Sequence, residues 1–286
     1  MKLWTQWLRA VGALRPAGRR ARTFAWMALV LVGLCCCADN AGVTSFVRVL
    51  NFSGQACHRF LHLFHNTRLD LDVLTSCWVR LCLVLFRPFE VDSRLVCLAD
   101  GIKAPKEGRR MPGVKLLHQE SASNTKPEYI MGHSLQAITI LVHSASARVA
   151  AVPLTSRIYE GLVFFNRGAR ALLDKLVALL FSIARAGDRK VLLVADAYYA
   201  SGKVITPLLA NGHQLLARAK SNAVAYLPLP QPAHCGKGRP KIYGTKVRIK
   251  DLAQDDSALI CAPSPVYGER DVTVRYRVLD LMWRPV

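Results

Sequence analysis

Asp100 and Asp196 are the residues of this chain best suited to metal-dependent chemistry. Each closes a short apolar run, Leu95-Val96-Cys97-Leu98-Ala99 before the first and Val191-Leu192-Leu193-Val194-Ala195 before the second. Runs of that length bounded by turn-type residues read as single buried strands, which places both carboxylates at strand ends. In an α/β sheet the strand ends form the crevice where ligands bind, and paired carboxylates there suit Mg²⁺ held against phosphate oxygens. Asp at a strand end is also ordinary turn chemistry, so the surroundings matter. They are basic: Lys103, Lys106, Arg109, Arg110 and Lys115 follow the first acid and could grip a polyanion beside a scissile phosphate. His118, Gln119 and His133 could hydrogen-bond near bound metal or simply order the long stretch after the strand. Tyr198 and Tyr199 follow the second acid, where they fit either stacking on a flipped base or packing.

The composition agrees with a polyanionic partner. Among 286 residues, 39 Lys and Arg stand against 19 Asp and Glu, a formal net charge of +20, which makes nucleic acid the first candidate and an anionic membrane surface the second. A hydrophobic share of 52% supports a sizeable core and excludes a disordered tail. No internal repeat is visible, which excludes solenoids and propellers. The nine cysteines are odd in number and lie mostly in apolar stretches, as expected of a reduced cytosolic protein. Cys35-Cys36-Cys37 lacks the paired spacing of a zinc ribbon. Arg15, Arg19, Arg20 and Arg22 before the apolar Phe24–Cys37 imitate a secretory signal. The charges begin too far into the chain, and the run is shorter than the roughly 20 residues a spanning helix needs, so a buried helix is expected. A cytoplasmic, nucleoid-associated protein with no membrane partner follows.

Three regions are expected. Residues 1–90 read as helical and basic, with eleven Lys/Arg against three acids before Glu90. DNA end binding and dimerisation are both open to this region, and no helix-turn-helix pattern decides between them. Within it, Gly42–Leu50 reads as a short helix capped by Thr44 or Ser45. His58, His62 and His65 share one helical face beside Cys57, an arrangement that raises zinc but has no distant ligand pair, so a packed aromatic and histidine surface is expected. Residues 91–218 read as strand, strand, strand, helix, strand: the Asp100 strand, Leu135–Val142, Arg148–Leu154 with His143–Ser146 as the turn, and a helix near Gly168–Ala186 with Gly187 as its stop. The Asp196 strand follows, then a short helix in Ser201–Asn211 whose first turn holds Pro207, and a fifth strand at Gln214–Arg218. This is the order of a ribonuclease-H-like mixed sheet, in which the first and fourth strands lie side by side. Residues 219–286 read as a basic, β-rich insertion after the second Asp.

Several blocks in order resemble the DDE-superfamily insertion-sequence transposases of bacteria. The first is Ala99-Asp100-Gly101-Ile102-Lys103-Ala104-Pro105-Lys106-Glu107-Gly108-Arg109-Arg110-Met111-Pro112-Gly113. Leu117–Ser121 and Lys126–His133 follow, then Ala195-Asp196-Ala197-Tyr198-Tyr199-Ala200-Ser201-Gly202-Lys203, Arg218–Tyr226 and Gly238–Gly244. The resemblance implies two Mg²⁺ or Mn²⁺ ions held by two Asp and one Glu on a ribonuclease-H-like fold, cutting and joining double-stranded DNA at element ends and target sites. It makes Asp100 and Asp196 the first two acids. The family's third acid lies in a Tyr-x2-Arg-x3-Glu-x6-Lys segment on a helix after the insertion. No such spacing occurs here, since Glu269 and Asp280 lie outside it and Val272–Leu281 reads as a strand leading toward that helix. A C-terminally truncated transposase is therefore expected, or an inactive DNA-binding remnant that competes at element ends.

Arg218 to Lys250 carries eight Lys/Arg and no acid, so it is the strongest candidate to follow a phosphate backbone. Arg218, Lys220, Asn222, Lys237, Arg239 and Lys241 are its expected contacts, with Lys126 and Lys203 nearer the acids. A solvated basic loop would show the same composition.

Overall fold

The computed structural model describes residues 2–38, 42–106, 108, 111, 113–118, 127–144, 148–158, 172–220, 222–229, 241–252, 254, 259–265 and 269–284. Five helices come first: α1 (Lys2–Ala13), α2 (Ala21–Cys36), α3 (Val43–Val49), α4 (Gly54–Phe64) and α5 (Leu71–Leu85). Helices α2, α3 and α4 close a small core around Phe60, whose ring meets Trp26 edge-on at 5.0 Å and Phe46 at 6.1 Å. Gly33 makes this possible, because a Cβ there would stand 2.8 Å from the Phe46 ring. Phe46 also sets the start of α3: Gly42 is the cap, and the expected caps Thr44 and Ser45 lie inside the helix. Helix α5 has a true side-chain cap, Asp70, whose Oδ1 accepts from the amides of Asp72 and Val73 at 3.1 Å. The Val73 amide leads in holding the Asp70 carboxyl below the usual range.

After short β1 (Arg87–Pro88) and β2 (Glu90–Val91), the sheet is built from β3 (Arg94–Pro105), β4 (Lys115–His118), β5 (Tyr129–His143) and β6 (Val149–Ile158). Helix α6 (Leu172–Gly187) leads to β7 (Val191–Ala195), and α7 (Gly202–Ala210) to β8 (Gln214–Ala217). The central order is β6-β5-β3-β7-β8, with β5 antiparallel to both neighbours and β7 and β8 parallel to β3. This is the ribonuclease-H-like arrangement expected from the sequence. Helices α5 and α6 cover one face, burying Val79, Leu176, Leu180 and Ile183 against Leu95, Cys97, Ile138 and Leu193.

Several local expectations change. Gly187 is the last helical residue, and Asp188 takes the left-handed turn at φ 50°. Packing also favours glycine at 187, since a Cβ would lie 2.9 Å from the flexible end of Leu83 on α5, which would have to shift. Pro207 sits in the second turn of α7, and Asn211 Nδ2 donates to its carbonyl at 2.9 Å. The expected terminal strand is shorter, β12 (Thr273–Tyr276). It pairs with β11 (Ile260–Pro263), while β9 (Val224–Tyr226) pairs with β10 (Lys246–Arg248), ahead of the one-turn α8 (Ile249–Leu252). The chain beyond β12 returns to β9, where the Tyr226 and Met282 amides each donate to the other's carbonyl. Arg284 stacks over the Tyr226 and Tyr243 rings at 4.8 and 5.4 Å and holds that return in place. No described helix is long and apolar enough to cross a membrane.

Candidate active site

Residues Leu95–Ala99 of β3 run in parallel register with Val191–Ala195 of β7, so Ala99 and Ala195 are partners. Asp100 and Asp196 are the next residue on each chain, and adjacent strands lie roughly 4.8 Å apart. Asp196 follows the end of its strand as expected. Asp100 does not, because β3 continues to Pro105, with β5 as partner down to Gly132. The acid stands where the parallel neighbour stops and the antiparallel one goes on. Ala195 is also the register partner of Ala217 on β8, so Arg218 leaves the third strand beside Asp196. Two carboxylates and a guanidinium therefore emerge from three consecutive strands at one edge.

Both Asp side chains are solvent-facing and oriented by backbone amides. Asp100 Oδ1 accepts from Gly101 N at 2.7 Å, and Asp196 Oδ1 accepts from Tyr198 N at 3.0 Å. Neither carboxylate is in an ion pair among the described residues, which leaves the Oδ2 atoms for an external ligand. Under them lies a polar tie that the apolar strand patterns did not announce. Tyr199 is 2% exposed and Gln136 5%, and the phenol donates to Gln136 Oε1 at 2.7 Å. Burial pushes the Tyr199 hydroxyl up to about 12; Asp196 and Asp100 both push the same way, and the Gln136 hydrogen bond opposes them. The phenol thus lies in the field of both acids. Gly101, the register partner of Gln136, lies beside the tie, and a Cβ there would make only ordinary contact with the Tyr199 hydroxyl at 3.8 Å. The detectable signal was Gln136 itself, an amide within the apolar stretch Leu135–Val142. Tyr198, by contrast, is exposed and meets the Tyr199 ring edge-on at 5.3 Å.

The other sequence candidates are placed more widely. His133 is buried opposite Ala104, four register positions from the Asp100 partner Ala137. His118 lies farther along, opposite Tyr129, with its Nε2 3.5 Å from Glu128. These two histidines therefore anchor the β4–β5 extension and stand apart from the carboxylates. Lys103 Nζ donates to the His118 carbonyl at 2.6 Å and ties β3 to β4. Lys106 is exposed, and Lys115 is half-buried on β4. Lys203 is exposed in the first turn of α7, while Arg218, Lys220, Asn222 and Lys241 are exposed after β8. Arg109, Arg110, Gln119, Lys126, Lys237 and Arg239 lie outside the described residues.

The donor set fits a hard divalent cation in part: two carboxylates with free oxygens, to which phosphate oxygens and water would add. Among the described residues no third Asp, Glu, His or Cys joins them. No disulfide joins the eight described cysteines, and burial raises Cys97 to about 12 and Cys82 to about 11, so these two are inert packing thiols.

No curated protein matches the chain. Among solved structures, the cryo-EM structure of a piggyBac transposase synaptic complex with hairpin DNA aligns at a TM-score of 0.36 and 12% identity, over 77% of this chain and 42% of that one. The chain thus spans less than half the length of that transposase chain. The DDE superfamily endonuclease family matches residues 13–278, a span that holds both carboxylates, the whole mixed sheet and most of the helical bundle, and the chain belongs to that family.

Proposed function

We propose that Asp100 and Asp196 hold divalent cations, Mg²⁺ or Mn²⁺ and two when the ligand set is complete, against a DNA phosphodiester, and that the chain is a transposase-type endonuclease. The observation that carries this reading is the parallel register of β3 and β7, whose last pair, Ala99 and Ala195, is followed on each strand by one of the two acids. Endonucleases of this superfamily use divalent metal ions. Ions held there supply a lowered pKa for an attacking water or 3′-hydroxyl and charge stabilisation at the departing 3′ oxygen. The chain's own residues do the rest. The Gly101 and Tyr198 amides fix one oxygen of each Asp, the Tyr199–Gln136 tie sets the floor, and Arg218 offers a cation to the phosphate beside Asp196.

Double-stranded DNA is the proposed substrate, both as element ends and as target. Lys103, Lys106, Lys203, Lys220, Asn222 and Lys241 serve as backbone contacts around the centre, and Arg109, Arg110, Lys115, Lys126, Lys237 and Arg239 extend the same basic stretch. Residues 1–90 hold DNA ends or a second copy of the chain, 91–218 carry the chemistry, and 219–286 position the duplex.

A second reading is DNA binding without turnover at element ends. It is favoured by the missing third carboxylate among the described residues. Nicking of supercoiled plasmid in Mn²⁺ separates the two. Turnover lost in Asp196→Asn supports the endonuclease; metal-independent DNA binding with no nicking supports the second reading.

A further inference from the structure

The helical bundle carries a cleft unrelated to the carboxylate pair. Helix α4 turns Ala56, Phe60 and Leu63 inward, and this leaves His58, His62 and His65 exposed along its outer stripe. The expected packed histidine surface is therefore open: Phe60 is buried and the imidazoles are not. They face a cavity of about 720 Å³, whose wall also holds Arg20, Arg22, Arg59 and Arg68 and, among the described residues, no Asp or Glu.

The rim is held by backbone bonds. Arg19 N donates to the Arg68 carbonyl at 3.1 Å and Asp70 N to the Ala17 carbonyl at 2.9 Å, which clamps the Arg68 turn against the start of α2. The local acid is already engaged, since Asp70 caps α5 with one oxygen and meets Arg19 at 3.5 Å with the other. Among the described residues no carboxylate pairs with any of the four lining arginines. Arg59 lies over Trp26 at 5.9 Å, so the cleft floor has an indole face as well as charge. Four guanidiniums held together in one concavity without counter-charge repel one another unless an anion joins them. At about 720 Å³ the cavity holds far more than a single small anion, and guanidiniums match phosphate oxygens bidentately.

The geometry points to a nucleic-acid backbone site in this cleft, taking successive phosphates of a DNA duplex through Arg20, Arg22, Arg59 and Arg68, with Trp26 at its floor. The site rests on the proposed reading that residues 1–90 hold DNA, but it needs neither Asp100 nor bound metal and so is tested apart from the proposed catalysis.

The test is binding of a labelled duplex to the full chain in EDTA across a salt series, using Asp100→Asn/Asp196→Asn as the parent. Arg22→Ala and Arg59→Ala should each weaken binding several-fold and lower the log–log salt slope by about 1 per lost phosphate contact. Arg22→Lys keeps the charge and should keep the slope. Arg22→Gln serves as a second helix-compatible loss at the same position, should the alanine variant fail to fold. Duplex should also change the tryptophan emission, and Trp26→Phe should abolish that change. Slopes that stay unaltered in folded Arg22 and Arg59 variants would overturn the site. So would tighter binding to phosphatidylserine vesicles than to duplex at equal ionic strength. Absence of Mn²⁺-dependent nicking by the unsubstituted chain, with the cleft binding intact, would strike the catalytic reading alone.

Discussion

The Tyr199 hydroxyl donates to Gln136 Oε1 across 2.7 Å in a nearly closed environment, joining the turn after β7 to the middle of β5. Between those two elements runs β3, so the tie spans the strand that carries Asp100 and fixes the turn that carries Asp196. An apolar pair would fill the same volume without setting a direction. Tyr199→Phe leaves a buried amide oxygen without its donor and should cost about 1–3 kcal/mol in urea unfolding. Gln136→Leu should cost a similar amount, and the double variant clearly less than the sum. Mn²⁺ affinity should fall roughly tenfold in Tyr199→Phe, as for other groups that orient metal-binding side chains. Additive unfolding costs with unchanged Mn²⁺ affinity would reduce the pair to packing.

The carboxylates themselves are exposed, so removing them should spare the fold. Asp100→Asn and Asp196→Asn are expected to keep the unfolding free energy in urea within about 0.5 kcal/mol of wild type, as surface changes do. Mn²⁺ binding followed by paramagnetic resonance should weaken in both by about two orders of magnitude, about 2.7 kcal/mol. A single-variant effect, with the other silent, would mean that the acids do not share a cation.

At the opposite end of β7, His213 Nδ1 accepts the Val191 amide at 3.1 Å and closes the ladder where β8 begins. That bond requires the neutral ring. Burial lowers the His213 pKa below the ordinary 6.5, with Lys190 and Arg94 adding to it. The unfolded chain therefore takes up this proton first as pH falls. The stability contribution is full above about 6.5 and is lost as pH drops through the lower folded value. His213→Ala should flatten that acid limb and cost about 1–3 kcal/mol at neutral pH for the orphaned amide. Thermal melts from acid to neutral pH would show it, and an identical acid limb in the variant would assign the proton elsewhere.

Gly132 permits the close pairing that extends β3 beyond Asp100. A Cβ there would sit 2.4 Å from the Ala104 carbonyl oxygen, a backbone atom that cannot rotate away. At Gly187 the opposing atom is the flexible end of Leu83. Gly132→Ala should thus destabilise by about 3 kcal/mol, and Gly187→Ala by about 1 kcal/mol. Equal melting shifts for the two would contradict this account.

Much of the architecture was readable because burial leaves periodic marks. The apolar runs before Asp100 and Asp196, the stripe of α6 and the strand-helix alternation between them name five strands in a ribonuclease-H-like order, and those strands form. Termini were less legible. Thr44 and Ser45 have cap chemistry, yet Phe46 packing against Gly33 decides where α3 starts. Gly187 has stop chemistry, yet its small size answers Leu83, and Asp188 makes the turn. In each case a side chain distant in sequence overrides a local preference. His118 and His133 could not be ranked by sequence nearness to the acids, because a long strand pair carries them away from Asp100.

The sequence by itself determined the two acids, the excess of positive charge and the order of strands, since residue type and short-range periodicity need no partner to be read. Only the tertiary structure decided that Arg218 joins the acids on a third strand, that Tyr199 and Gln136 meet beneath them, and that three histidines and four arginines share one cleft. These relationships depend on which strands pair and in what register, and on which helix face finds the core. Such choices are settled by burial of the whole chain at once, not by any segment alone.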